Sequence, residues 1–151
     1  MSAIANLVAF DGASTPVSHT FLPEGIDDDP STGLMARWKE VIGSTPEYAS
    51  NRVTLSKRRL KSGVSRIAMR VEIPVMESVS GQNASGYTAA PKVAYVDAAE
   101  FVSYAHPRST TLGRRLVRQL LVNLTNGVTT TVTPNTSSQP AEAFDALLMP
   151  T

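Results

Sequence analysis

The sequence predicts an α+β fold: an N-terminal β-hairpin and an antiparallel meander sheet, followed by one long and one short C-terminal helix. Three observations predict it. Two neighbouring segments, 52–60 and 65–73, alternate apolar and polar residues with period two, which puts successive side chains on opposite faces of a strand. An Asp-Gly turn signal, Asp11-Gly12, lies between apolar flanks. Leu112, Leu116, Leu120 and Leu124 recur at i+4, the spacing of one helix face. At 151 residues the chain has the length of one domain, 1–151, and can bury a core.

Each element follows from local chemistry. Segments 6–10 and 17–22 flank the Asp-Gly turn and form the hairpin, within 1–25; Pro23 and Gly25 end it. The acidic run Asp27-Asp28-Asp29 reads as an exposed loop continuing to Thr32. Segment 34–42 carries the one tryptophan, Trp38, and its periodicity leaves strand and short helix both open. In 52–60, Val53 and Leu55 alternate with Arg52, Thr54, Ser56 and Arg58. In 65–73, Ile67, Met69, Val71 and Ile73 alternate with Arg66, Ala68, Arg70 and Glu72. Lys61-Ser62-Gly63 is the short glycine-bearing connection an antiparallel hairpin needs. Arg52, Arg58, Arg66 and Arg70 therefore share one sheet surface, and the opposite surface packs on a core.

Pro74 ends that strand or marks an edge. The Ser, Gly, Asn and Ala of 78–91 predict a flexible loop, and a strand over 92–104 completes a sheet spanning 33–104. If Tyr95 and Asp97 face the arginine surface, Glu100 falls on the apolar side, which calls for a bulge nearby. The long helix is expected over 109–127, with Ser109, Thr110 and Thr111 as N-cap candidates and Asn126-Gly127 at its end. Arg114, Arg115 and Arg118 read as its solvated face. Segment 128–139 is linker-like, and Pro140 opens the short helix, 140–149.

Composition excludes most function classes. There is no cysteine, which removes disulfides, thiolate metal sites and cysteine nucleophiles. His19 and His106 have no companion acid at a suggestive spacing and read as structural. No phosphate loop or paired-carboxylate arrangement is visible, so no enzyme, metal, cofactor or small-molecule substrate is expected. No apolar run approaches the roughly 20 residues of a membrane helix. The first basic residue is Arg37, so no charged leader is expected.

Net charge is +1, but its distribution is uneven. Arg52, Lys57, Arg58, Arg59, Lys61, Arg66 and Arg70 cluster, with no Asp or Glu between Glu47 and Glu72. Such a block is either a footprint for a polyanion or a solvated strand face. One long helix cannot cover a large sheet whose other face is charged, so part of the core stays open in a monomer. Dimerisation closes it.

These pieces together resemble the coat proteins of single-stranded RNA bacteriophages, the leviviruses, over nearly the whole chain. The likeness lies in Phe10-Asp11-Gly12, the tryptophan strand Met35-Ala36-Arg37-Trp38, and the central hairpin running from Arg52-Val53-Thr54-Leu55-Ser56-Lys57-Arg58 to Arg70-Val71-Glu72-Ile73-Pro74. Ala94-Tyr95-Val96-Asp97 and the helix around Leu116-Val117-Arg118 continue it. The resemblance implies an intertwined dimer with one continuous sheet, the helices of each chain packed across the partner. It implies an icosahedral shell in the virion, assembled in the bacterial cytoplasm, whose inner sheet face binds a stem-loop of single-stranded genomic RNA and represses translation.

Position by position, the resemblance implies that Thr54 and Ser56 line a base pocket with Met35. Arg52, Arg58 and Arg70 meet phosphate or base, Tyr95 stacks on an unpaired base, and Asp97 is a neighbouring polar contact. Arg66, placed on the same face by the alternation of its strand, joins the candidate RNA-binding residues. Ala68 departs from the family, standing where a pocket hydroxyl is often found. A small cellular RNA-binding dimer that forms no shell is the alternative.

Overall fold

The computed structural model describes residues 3–43, 45–77 and 92–151; the expected 78–91 loop lies outside them. Among these described residues six strands follow in chain order as β1 (Leu7–Phe10), β2 (Ser18–Asp29), β3 (Gly33–Glu40), β4 (Arg52–Arg59), β5 (Ser65–Met76) and β6 (Val93–Ala105). They form one antiparallel sheet in that same order, a meander with no crossover. Two helices follow, α1 (Thr111–Thr125) and α2 (Gln139–Ala146). A 3-10 turn at Glu47–Ala49, which the sequence does not announce, links β3 to β4.

Several expectations need correction. Strand β2 does not stop at Pro23. It bends at a bulge between Pro23 and Gly25 and continues through the acidic run to Asp29, pairing with β3 throughout. A bulge tolerates the proline and re-aims the strand, so the hairpin is continuous with the main sheet. Of the two readings left open for 34–42, the strand is the one formed, as β3 over Gly33–Glu40. Strand β5 runs past Pro74, which pairs with Val96. The β4 ladder has already ended at the Arg52–Glu72 pair, so the proline sits where β5 has a neighbour on one side alone.

The helix signals hold. Thr110 caps α1 by accepting from the Gly113 N–H at 3.1 Å, and Ser138 caps α2 by accepting from Ala141 N–H. Gly127, just past α1, has φ +63°, the left-handed geometry glycine adopts without strain. Non-glycine Leu147 takes that role after α2, at φ 58°.

The core lies on one face of the sheet. Ala36, Trp38, Val53, Leu55 and Ile67 are buried beneath Ala143, Phe144 and Met149 of α2 and the C-terminal tail. Phe144 meets Phe101 edge-on at 4.7 Å between ring centroids. The chain ends help to close this layer: Ile4 N–H donates to Thr151 O at 2.9 Å, and the Trp38 indole donates to Ala5 O at 2.9 Å. Helix α1 packs on α2 and buries none of its own residues.

Candidate nucleic-acid interface

The other face of the sheet carries the expected arginines. Residues directly opposite in an antiparallel ladder share a face, so the register lays out rows of neighbours. One row reads Lys39, Arg52, Glu72 and Ala98 across β3 to β6; the next reads Arg37, Thr54, Arg70 and Glu100. A third reads Met35, Ser56, Ala68 and Val102. The last reads Arg58, Arg66 and Tyr104 across β4 to β6. Arg52, Arg58, Arg66 and Arg70 therefore share one surface, as does the set Met35, Thr54, Ser56 and Ala68. Ala68 is buried as a floor between larger neighbours, while Met35, Thr54 and Ser56 are half-buried.

Tyr95 and Asp97 do not join them. The register sets Tyr95 opposite Val75 and Asp97 opposite Ile73, on the side of Val71 and Met69. The extra residue of β6 is taken up between Val93 and Tyr95, opposite the Val75–Met76 step, rather than between Asp97 and Glu100. Because side chains alternate strictly, moving a bulge past a residue flips it to the other face. Glu100 accordingly stands on the arginine face, where its carboxylate meets Arg66 at 2.7 Å.

Electrostatically this face is mixed. Arg70 pairs with Glu72 at 2.8 Å, Arg37 with Asp27, and Lys39 with Glu47 at 2.6 Å and Glu24 at 3.2 Å. The Glu47 and Glu24 carboxylates hold the Lys39 ammonium above its ordinary range. Arg58 differs: it donates to the Ser31 carbonyl at 2.8 Å, and among the described residues no carboxylate forms an ion pair with it. Beside it is a hollow of about 240 Å³ lined by Ser31, Thr32, Met35, Ser56, Arg58 and Arg66. Ser31 and Thr32, from the β2–β3 turn, escape a strand-based sequence reading because the turn folds over the face from a neighbouring connection.

Two clusters lie outside this surface. His19 has acid companions after all: Nδ1 contacts Glu40 at 2.9 Å and Nε2 lies 3.4 Å from Asp11. Those carboxylates, Glu40 first, raise the His19 pKa above 6.5. Asn51 donates to Glu40 at 2.7 Å. On α1, Arg114, Arg115 and Arg118 are not a solvated face. Arg118 grips the Asp145 carboxylate with two bonds of 2.8 Å, Arg115 joins at 3.3 Å, and Arg114 donates to Asp145 O at 2.7 Å. Burial alone pushes Asp145 up; the Arg118 and Arg115 guanidiniums outweigh it and hold the carboxyl below its usual range. Among the described residues no group of His, Asp and Glu is arranged to hold a metal ion.

On the core side, a groove of about 690 Å³ runs past Phe21, Val53, Met69, Val71 and Ile73 to the segment around Pro140. Leu112, Leu116, Leu120 and Leu124 of α1 are exposed, Leu116 at 64%.

Comparison with known proteins places this architecture. Residues 2–141 match a family model described as levivirus coat protein. The virus-like particle of bacteriophage EMS014 is 28% identical over 99% of both chains, with a TM-score of 0.73. That of bacteriophage ESE058 is 22% identical over 97% of both chains, at 0.70. The bacteriophage GA protein capsid is 17% identical over 95% of this chain and 94% of its own, at 0.56. No curated protein matches the chain.

Proposed function

Because the chain belongs to the levivirus coat protein family and is therefore a structural capsid protein of the virion rather than an enzyme, we propose that it works as a homodimer whose arginine face binds genomic RNA inside an icosahedral shell. The observation that carries the RNA half is the sidedness of one sheet: an apolar layer on one face and Arg52, Arg58, Arg66 and Arg70 together on the other. Phosphate contacts from arginine supply affinity that weakens with salt, and half-buried Thr54 and Ser56 point the same way beside Met35 to read a base edge. A stem-loop is the ligand this face suits, since its unpaired bases expose both edges and faces. Repression of translation follows where that stem-loop overlaps a start site.

Dimer formation has separate support. The exposed leucine stripe of α1, the 690 Å³ apolar groove and the outer edge of β6, which no strand pairs among the described residues, are three unfinished surfaces on one chain. A second copy completes all three when its α1 fills the groove and its β6 extends the sheet. Coat-protein membership weighs against the alternative of a cellular RNA-binding dimer without a shell.

The test is expression of the protein alone. Uniform closed particles containing host RNA are the expected product in electron microscopy and nucleic-acid absorbance. Dimers that never assemble further, or closed particles free of RNA, would each remove one half of the reading.

A further inference from the structure

We infer that the buried Asp145 carboxylate is a clasp that holds α1 with its leucine stripe turned outward, committing the stripe to a second copy instead of its own chain; the inference rests on the chain working as a dimer. A surface helix ordinarily turns its apolar side to the core and its charges to water. Helix α1 does the reverse. Leu112, Leu116, Leu120 and Leu124 are exposed, Leu124 at 70%, while Arg114, Arg115 and Arg118 are turned inward and half-buried. Standing four and three residues before Arg118, Arg114 and Arg115 share its helix face. All three converge on one residue of α2 that is 3% exposed. Arg118 and Arg115 hold the Asp145 carboxylate and Arg114 its carbonyl, and Arg118 also donates to Asn135 O at 2.7 Å.

Apolar packing does not set that orientation, since α1 buries none of its residues. Nor does the backbone, because 126–138 between the two helices holds neither helix nor strand and leaves α1 room to roll about its axis. The hydrophobic effect acts the other way and favours rolling the stripe inward. Rolling would strip a buried carboxylate of both guanidiniums, a change more costly than leaving leucines in water. The stripe and the groove of one chain are therefore kept apart: the groove past Phe21, Val53 and Met69 has no residue of α1 in its lining among the described residues. Two copies that exchange α1 satisfy both surfaces at once. Asp145 is a positioning residue in this exchange, acting through α1.

The experiment follows the full-length protein by native mass measurement over a dilution series. Asp145→Asn keeps the shape of the clasp without its charge, and Arg118→Gln opens it from the helix side. Each is expected to raise the dimer dissociation constant roughly 10- to 150-fold, because copies with the stripe outward become a minor fraction. Arg118→Lys, which keeps the charge but not the fork, should lose less than Arg118→Gln. Helical circular dichroism and Trp38 fluorescence should stay those of the parent, which separates the effect from unfolding. A second readout concerns the single chain. The sequence has no cysteine, so Leu116→Cys supplies one thiol on the stripe. In the parent diluted to monomer it should react with a maleimide as a free surface thiol, and with Arg118→Gln added it should react about tenfold more slowly. A merely loosened fold would leave that thiol open. Parent-strength dimerisation by either Asp145→Asn or Arg118→Gln, or unchanged thiol reactivity, overturns the inference. If Leu116→Asp itself dimerises as the parent does, the stripe is not the dimer surface and the underlying reading falls with it.

Discussion

Arg58 and Arg70 stand two rows apart on neighbouring strands, yet their surroundings set them apart. Arg70 is already neutralised by Glu72, whereas Arg58 donates to a carbonyl and keeps its full charge for a ligand. Arg58→Ala is therefore expected to reduce the salt slope of single-stranded RNA binding by about 0.7, one phosphate's worth. Arg70→Ala should change it less, since it frees Glu72 as it removes the cation; equal slopes for the two variants would contradict this account. At His19 the issue is pH. Its raised pKa means that its bonds to Glu40 and Asp11 contribute stability fully below pH 6.5 and lose it as pH rises through the higher folded value. Asp11 is lowered, first by the backbone N–H of Val17 and Ala13, so its share appears above 3.8 and fades as pH falls. The β1–β2 hairpin should therefore be most protected from amide exchange between those limits. His19→Gln should flatten the alkaline side of that profile.

Among the elements, α1 shows how a pattern can be read correctly and its partners missed. The i+4 leucines and the caps announce the helix, and its boundaries agree to within two residues at each end. The arginines on its polar side look solvated because Asp145 lies 27 residues beyond Arg118, and no local rule links them. Asp145→Ala leaves two guanidiniums without their carboxylate. Removing one partner of a buried ion pair costs about 3 kcal/mol. A melting temperature lower by roughly 6–12 °C should follow in calorimetry at fixed protein concentration. Strand β6 shows the opposite limit. Its length and type are legible, but its facing is not, because one extra residue has two places to go and each choice flips every side chain beyond it. That choice decides whether Tyr95 and Asp97 look toward the arginines or away from them.

For the molecule as a whole, the sheet is finished on one side and open on the other. Helix α2, the C-terminal tail and the N-terminal segment cover Trp38, Leu55 and Ile67, but Met69 and Val71 remain partly buried beside the groove. Because Leu116 is exposed in the single chain, Leu116→Asp costs that chain almost nothing. In a dimer the same change places an unpaired carboxylate in an apolar seam. Native mass measurement should find the variant folded but monomeric and unable to form particles; a variant dimer would place the interface elsewhere.

The amino-acid sequence by itself determined the strand periodicities, the helix caps, the sidedness of β4 and β5, and hence the sharing of one surface by Arg52, Arg58, Arg66 and Arg70. These are local properties, set by alternation within a few residues. The tertiary structure alone decided the continuation of β2 through its acidic run, the facing of β6, the joining of Asp145 to the arginines of α1, and the presence of Ser31 and Thr32 beside Arg58. Each of these depends on which distant segments come together, and that is settled by the free energy of the whole packed chain rather than by any one stretch of it.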